Sequence, residues 1–210
     1  MNLLEIIGIT LSVIFNDIHD VMKNCILLGL ALLLIVSCKE NPEPQEPDPG
    51  RRKSPIAITS ITHQPSDTYM KIVYGQPYKK GRDIFGGLVP YGEVWRTGAN
   101  EATEMTTTNE IMFNGKRLEA GTYGFFSIPR KDQWTIILND SLGQGGAFDY
   151  NQEFDHLRTT VKPTSTDQTA EAFTIQFTEI SGDSSAIVMR WDTLRVHIPI
   201  RFLPQTSSTN

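Results

Sequence analysis

The stretch Glu110–Leu118, "EIMFNGKRL", is the most informative part of this sequence for the fold class. It joins a short apolar segment, "EIMF", to "KRL" through Asn114-Gly115. Asn-Gly is the strongest short-range signal for a β-hairpin, because both residue types tolerate the positive φ that a two-residue turn requires. The stretch therefore predicts two short antiparallel strands.

Short apolar runs with period-two alternation, divided by turn residues, continue on both sides of this hairpin. No long helical period appears between residues 54 and 202. Many short strands at regular spacing are typical of an antiparallel sandwich or jelly roll. We therefore predict an all-β fold, with a single antiparallel β-sandwich or jelly-roll-like domain over residues 54–203 and a tail over residues 204–210. The predicted strands are 56–62, 69–75, 101–108, 110–113, 116–118, 122–128, 133–139, 157–162, 172–180, 185–191 and 194–202.

The composition excludes some classes of function. Acidic residues outnumber basic ones by 24 to 19, and the formal net charge of the 210 residues is -5, so the chain lacks the basic character of nucleic-acid-binding proteins. Cys25 and Cys38 both lie in the N-terminal apolar region, and the four histidines are scattered, without the close spacing of zinc ligands. We therefore predict no nucleic-acid partner, no metal and no cofactor.

Residues 22–37 have the three parts of a secretory signal peptide. These are a lysine near the start, an apolar run too short to span a bilayer, and a small residue before Cys38. The segment "IVSC" that ends at Cys38 resembles the lipobox of bacterial lipoproteins. This resemblance implies cleavage before Cys38 and acylation of that cysteine, with palmitate among the acyl chains, which would anchor the mature chain in the membrane. A plain membrane anchor is the alternative.

The segments that flank this signal also carry information. Residues 1–21 contain three acidic residues and no lysine or arginine, which does not fit a signal start. We interpret them as an upstream extension of a chain that starts at Met22, with an amphipathic or membrane helix as the alternative. Residues 38–53 alternate proline with acidic residues, which favours an extended polyproline II linker after the lipidated cysteine.

The position after Cys38 bears on localisation. It holds Lys39 rather than aspartate, and in the lipoprotein sorting rule an aspartate there retains the protein at the inner membrane. By analogy, we predict a lipid-anchored protein of the cell envelope, at the outer membrane, facing the periplasm or the cell exterior.

Several longer stretches are similar to one family. They are "KGRDIFGGLVPYGEVWRTGANEATEMT", "FNGKRLEAGTYGFFSIP", "WTIILN", "GAFDYNQEFDHLRTTVKP" and "MRWDTLRVHIPI". Together they resemble the domain of unknown function 2911 family of bacterial secreted and lipid-anchored proteins over nearly all of residues 54–200. The resemblance implies a β-sandwich in the envelope, and no established reaction, substrate or cofactor. Two departures are Gly124-Phe125, where a more polar pair is expected, and "NDSLGQGGAF", where an aromatic residue is expected before the last glycine.

The stretch Val89–Thr108, "VPYGEVWRTGANEATEMTTT", groups aromatic, charged and amide side chains within a few residues. One interpretation is a rigid corner between strands, in which Arg96 is buried, pairs with Glu101 or Glu104 and donates to loop carbonyls, while Trp95 or Asn100 is more exposed. The other is a ligand pocket, because small-molecule sites combine an apolar wall with a few convergent polar groups. The candidate ligand-binding residues are Trp95, Arg96, Asn100, Glu101, Tyr123 and Trp134, with Tyr74, Tyr78 and Arg82 as further candidates.

These patterns favour an envelope lipoprotein whose sandwich binds a small molecule or carbohydrate, or acts as a scaffold, without catalysis. One alternative is a hydrolase of envelope carbohydrate or ester that uses Glu101. That chemistry needs two carboxyls at a set separation, and Glu101 and Glu104 are predicted to point to opposite faces of one strand. Another alternative is a structural subunit that docks on a second envelope protein. The sequence has no nucleophile elbow or phosphate loop, so we predict no catalytic residues.

Overall fold

The structure is a computed structural model that describes residues 53–204. The predicted signal peptide, Cys38, the linker up to residue 52 and the tail from residue 205 lie outside the described residues. Lipid anchoring and the envelope location therefore stay predictions. Within residues 53–204, no helix is long and apolar enough to cross a membrane.

Ten strands form two antiparallel sheets, which confirms the predicted β-sandwich. The larger sheet has six strands in the order β1-β2-β3-β6-β7-β8, and the smaller has four in the order β5-β4-β10-β9. The strands are β1 (Ile56–His63), β2 (Thr68–Gly75), β3 (Thr103–Thr107), β4 (Ile111–Phe113), β5 (Lys116–Leu118), β6 (Gly121–Ile128), β7 (Trp134–Asn139), β8 (Asp155–Val161), β9 (Pro163–Phe177) and β10 (Ser184–Phe202).

The hairpin predicted from Asn114-Gly115 is confirmed. Strands β4 and β5 pair with Phe113 opposite Lys116, so the loop between them has two residues. The φ angles of Asn114 and Gly115 are 46° and 78°, which are the two positive values that a type I′ turn requires.

The two strands predicted at residues 185–191 and 194–202 are one continuous strand, so the predicted break is wrong. The pairing of β10 with β9 changes register on both sides of Asp192, where φ is 53°. A β-bulge of this kind inserts a residue and bends a strand without ending it. Strand β9 also begins earlier than residue 172. Its polar first half pairs through the backbone with the second half of β10, as in Leu194 opposite Ser165.

The core lies between the two sheets. Alternate residues such as Ile72 and Met105 from the larger sheet, and Ile198 from the smaller one, are fully buried there. One end of this core is aromatic, with neighbouring ring centroids 5.0 to 6.2 Å apart. Aromatic pairs at such distances are each worth about 0.5–1.5 kcal/mol beyond their buried area. The members of this aromatic cluster are Phe85, Trp95, Trp134, Phe173 and Trp191.

A long connection between β2 and β3, residues 76–102, closes the aromatic end of the sandwich. It first reaches the smaller sheet, where the backbone N–H of Phe173 donates to Pro77 at 2.9 Å. It then returns to the larger sheet, where Trp95 and Ser127 exchange two backbone hydrogen bonds of 2.7 and 2.9 Å. Because both sheets hold this connection, its side chains are fixed relative to the core.

A second long loop, residues 140–154, covers the outer face of the larger sheet. Phe126 points to that face and packs against Tyr150, with ring centroids 5.2 Å apart. The carboxylate of Asp155 accepts hydrogen bonds from Tyr150 Oη at 2.8 Å and from Asn139 Nδ2 at 2.9 Å, and it pairs with Arg158. This polar network ties the end of the loop to β7 and β8.

Candidate functional site

A cavity of about 280 Å³ opens beside the connection of residues 76–102. Its lining comes from the first described residues, from this connection and from β10. Aromatic side chains share the lining with four cationic ones, and we therefore call it the basic cavity. The aromatic and cationic residues of its lining are Lys53, Tyr78, Lys80, Arg82, Trp95, Arg96 and Trp191.

Two tryptophans of the aromatic cluster line the basic cavity on its core side. Trp95 and Trp191 are stacked, with ring centroids 6.0 Å apart and ring planes 21° apart. The indole N–H of Trp95 donates to the carbonyl of Gly98 at 3.1 Å, and that of Trp191 donates to the carbonyl of Glu171 at 3.2 Å. Both rings are buried and have their only polar atom satisfied, so they give the cavity a rigid apolar wall.

The charge of the basic cavity is of one sign. None of the described residues that line it is an aspartate or a glutamate. Arg82 is held in place by hydrogen bonds from its Nε to the carbonyl of Lys79 at 3.0 Å and from its Nη2 to the carbonyl of Tyr78 at 2.5 Å. No carboxylate among residues 53–204 forms an ion pair with Arg82. Cationic groups gathered in a concave site concentrate anionic ligands there.

Arg96 was expected to be buried and paired, and the structure shows neither. It is half-buried, and Trp95 is the more buried of the two, at 8 % exposure. Among residues 53–204, no side chain or backbone group forms a hydrogen bond or ion pair with its guanidinium, and its Nε atom is buried without a partner. The prediction that Arg96 pairs with Glu101 or Glu104 is therefore wrong.

The surroundings of Arg96 explain why the pair does not form. Its Nη1 lies next to the loop of residues 140–154, 3.5 Å from the point where a Cβ on Gly146 would stand. Glu101 lies beyond the segment Gly98–Asn100, in the lining of a different cavity. A buried charged donor without a partner costs free energy unless an ion, water or ligand satisfies it.

The other predicted site residues divide between the basic cavity and the core. Asn100 has a structural contact, since its Nδ2 donates to the carbonyl of Ser54 at 3.3 Å. Tyr123 is buried, and its hydroxyl donates to the carbonyl of Glu119 at 3.0 Å. Trp134 belongs to the aromatic cluster and is 1 % exposed. The structure therefore brings Tyr78, Arg82, Trp95 and Arg96 together and places Tyr123 and Trp134 outside the lining of the basic cavity.

A second cavity, of about 310 Å³, lies on the outer face of the larger sheet. We call it the acidic cavity, because both Glu101 and Glu104 line it. Glu101 precedes β3 instead of lying within it, so the strand alternation that was expected to separate the two side chains does not apply. The remaining lining residues are Ile56, Val73, Tyr74, Gly75, Ala102, Gly143 and Gln144.

Hydrogen bonds fix one wall of the acidic cavity. Glu104 Oε1 accepts from the backbone N–H of Gly143 at 3.0 Å. Gln144 is 6 % exposed, and its Nε2 donates to Ser141 at 2.9 Å and to Asn139 Oδ1 at 3.3 Å. Its Oε1 has no hydrogen-bond partner among the described residues. Among the residues that the structure describes, this lining carries carboxylate and amide oxygens and no lysine or arginine side chain.

Tyr74 forms the boundary between the acidic cavity and the core. Burial raises the pKa of its phenol above the ordinary value, although the hydrogen bond from the backbone N–H of Ile175, 3.1 Å long, acts in the opposite direction. The phenol is therefore neutral at physiological pH, and its hydroxyl serves as an acceptor within the structure.

The described residues include no group of three or more histidine, cysteine, aspartate or glutamate side chains that would hold a metal ion. The one serine–histidine contact, His63 Nδ1 to Ser66 Oγ at 2.7 Å, lies among buried atoms, and the His63 ring stacks on Phe202 with a centroid distance of 4.5 Å. Ser66 is 2 % exposed, which is not the placement of a nucleophile that must meet a substrate.

Sequence reasoning did not assign Lys53, Lys80 or Trp191 to the site. A signal for two of the cavity's cations was present in "KKGR", residues 79–82, which places three positive charges in the first turn after β2. Trp191 was expected in the core, and it does lie there, but it also lines the cavity. Its position depends on β10 passing under the connection of residues 76–102, a tertiary contact that local sequence does not report.

Comparisons with known proteins give one match. Residues 54–200 match the family described as "Protein of unknown function (DUF2911)". No curated protein matches the chain, and no solved structure does. The matched range includes the connection of residues 76–102 and every residue described above for the two cavities except Lys53.

Proposed function

Because the chain belongs to this family, which carries no described function, we propose from the geometry of the basic cavity that the protein binds a small anionic ligand and does not transform it. The observation that carries the proposal is the guanidinium of Arg96. Arg96 lines a cavity with three other cationic residues, its Nε atom is buried, and no described group pairs with its guanidinium. An arginine of this kind is suited to bidentate recognition of a carboxylate or phosphate.

The dimensions and lining of the cavity limit the ligand. A volume of about 280 Å³ is close to the lower end of ligand pockets, which span about 300–1,000 Å³. The stacked Trp95 and Trp191 provide an apolar wall, while Lys53 and Lys80 are exposed at the surface. The arrangement favours a small molecule with one anionic group directed at Arg96 and an apolar or sugar-like part against the indoles.

The setting of this binding module follows from the sequence. We propose that the sandwich is held at the envelope by a lipid on Cys38 and presents the basic cavity to the periplasm or the exterior. In this proposal the protein is a ligand-binding lipoprotein. The hydrolase that uses Glu101 and the docking subunit remain the alternatives.

The test is a thermal-shift and calorimetric screen of the purified full-length protein against inorganic phosphate, sulfate, small carboxylates, sugar phosphates and the matching neutral sugars. A ligand that binds only the native state raises its melting temperature. We expect some anions to bind, their neutral counterparts not to bind, and the affinity to fall with rising salt concentration.

Two variants make this test specific for the site. Arg96→Met removes the guanidinium, and we expect the affinity for anions to fall at least tenfold. Arg195→Met is the matched control, because Arg195 is exposed on β10 and outside the lining of the basic cavity. Tighter binding of neutral sugars, hydrolysis of a sugar or ester, or equal anion affinity in both variants would overturn the proposal.

A further inference from the structure

The basic and acidic cavities are neighbours, because the same three chain segments pass from one to the other. Ser54 lines the basic cavity and Ile56 the acidic one; Pro77 and Gly75 are divided in the same way. In the third segment, Ala99 lines the basic cavity and Glu101 the acidic one. In each segment a single residue separates the two linings, which corresponds to at most roughly 7 Å along the chain.

The residues between the cavities form a thin wall that hydrogen bonds hold together. The backbone N–H of Gln76 donates to the carbonyl of Pro55 at 2.8 Å. Asn100 Nδ2 donates to the carbonyl of Ser54 at 3.3 Å. Pro55 is exposed, and Gln76 and Asn100 are partly exposed. A ligand can therefore lie across this wall with one end in each cavity.

The acidic cavity has the features of a receptor for an ammonium group. Glu104 provides a carboxylate, and the buried Oε1 of Gln144, a residue of the same lining, has no hydrogen-bond partner among the described residues. A protonated amine has three donors and no acceptor, so it matches a set of acceptor oxygens. A calcium ion takes about six to eight oxygen ligands, more than these side chains offer, which favours an organic cation over a metal.

We propose that the ligand of this protein is a zwitterion that occupies both cavities, with its anionic group at Arg96 and its ammonium group at Glu104 and Gln144. The inference rests on the proposed function, because it takes the basic cavity as the anion site. The charges of such a ligand are roughly 7–10 Å apart, which is the separation in an unblocked di- or tripeptide. The opposite signs of the cavities also fix the direction in which the ligand lies.

The test compares three probes of one length by calorimetry with the full-length protein. They are trialanine, N-acetyl-trialanine, which lacks the ammonium, and trialanine amide, which lacks the carboxylate. We expect trialanine to bind at least tenfold more tightly than N-acetyl-trialanine, and trialanine amide to bind most weakly of the three.

A charge-neutral variant of similar shape assigns the ammonium to the acidic cavity. Glu104→Gln keeps an acceptor oxygen for the N–H of Gly143 and removes the charge. We expect this variant to bind trialanine only as tightly as the wild type binds N-acetyl-trialanine. Its affinity for N-acetyl-trialanine should be unchanged. The matched control is Glu110→Gln, since Glu110 pairs with Arg117 on the surface, away from both cavities; it should bind all three probes like the wild type.

The outcomes separate this inference from the proposed function. If trialanine and N-acetyl-trialanine bind equally, or if only simple anions bind and do so through Arg96, the zwitterion inference is overturned and the anion site stands. If trialanine amide binds best, the zwitterion inference is overturned, and the proposed function is then decided by the simple anions alone. If no anionic probe binds at all, both the inference and the proposed function are overturned.

Discussion

A Cβ atom on Gly75 would lie 1.9 Å from the carbonyl oxygen of Ala99. The two backbones are this close because the N–H of Ala99 donates to the carbonyl of Gly75 at 3.1 Å. The contact joins the end of β2 to the segment that carries Trp95 and Arg96. It also belongs to the wall between the two cavities, where any larger residue at position 75 would displace backbone.

We expect Gly75→Ala to lower the free energy of unfolding by about 1–3 kcal/mol, the usual cost of overpacking. The loss arises because backbone atoms must move to admit the methyl group. The matched control is Gly145→Ala, where the nearest atoms to an added Cβ lie at 3.4 Å and the change is expected to stay within about 0.5 kcal/mol. Urea unfolding monitored by tryptophan fluorescence measures both. Equal stabilities of the two variants would show that the segment Gly98–Asn100 adapts without cost.

The Asp155 network should contribute more to stability than a surface ion pair. The side chain of Asp155 is 9 % exposed and that of its partner Arg158 is 35 % exposed. Breaking a fully buried ion pair lowers the free energy of unfolding by about 3–5 kcal/mol. Solvent at Arg158 screens this pair and reduces the loss, so we expect Asp155→Ala to lower the free energy of unfolding by about 2–3 kcal/mol. Glu110→Ala, which breaks the exposed pair with Arg117, should cost about 0–1 kcal/mol. Similar losses in both would contradict the assigned role of the network.

Stability should fall at alkaline pH through buried tyrosines. Burial raises the pKa of Tyr74, Tyr123 and Tyr150 above their ordinary value of 10.0. Above pH 10 the unfolded chain therefore binds fewer protons than the folded one, and the free energy of unfolding decreases as pH rises. The stabilising contribution is complete below pH 10 and is lost as pH rises through the raised pKa values. Denaturant unfolding at several pH values between 8 and 11 measures the decline.

The control for this pH dependence is Tyr74→Phe, which removes one of the three phenols. Relative to its own stability at pH 8, this variant should lose less on going to pH 11 than the wild type does. A decline of the same size in both proteins would show that the pKa of Tyr74 is no higher in the folded state than in the unfolded state.

Arg96→Met should leave the stability of the ligand-free protein unchanged or raise it by up to about 1–2 kcal/mol. Methionine keeps an aliphatic stem, and the substitution removes a buried donor whose unsatisfied state costs about 1–3 kcal/mol. If Arg96 were instead part of a buried ion pair, the same change would cost about 3–5 kcal/mol. Thermal and urea unfolding without added anions distinguish the two, and a loss of more than about 2 kcal/mol would contradict the unpaired guanidinium.

Much of the fold was accessible from local sequence, because it depends on alternation and turn chemistry. The hairpin at Asn114-Gly115 and the strands of the larger sheet follow from these signals. The continuous β10 did not, since a bulge at Asp192 looks like a strand end in sequence. The first half of β9 was missed because its exposed polar side chains show no alternation, and only its pairing with β10 makes it a strand.

The candidate site was accessible only in part. The sequence placed Trp95 and Arg96 beside one another, and the basic cavity contains both. The sequence wrongly predicted an ion pair for Arg96. The segment Gly98–Asn100 passes Gly75 and separates Arg96 from Glu101, and no local sequence pattern encodes that path. The acidic cavity was missed because its wall includes Gly143 and Gln144, which the loop of residues 140–154 brings to β3.

The most direct measurement of the central claim is the side-chain NMR resonance of Arg96 Nε during a titration with inorganic phosphate at constant ionic strength. The resonance is assigned by its loss in Arg96→Lys, and Arg195 serves as the internal reference for non-specific contact. We expect the Arg96 Nε–H signal to move in a saturable manner as the anion binds the guanidinium, while that of Arg195 changes little. A small, linear response of the same size at both arginines would contradict an anion site at Arg96.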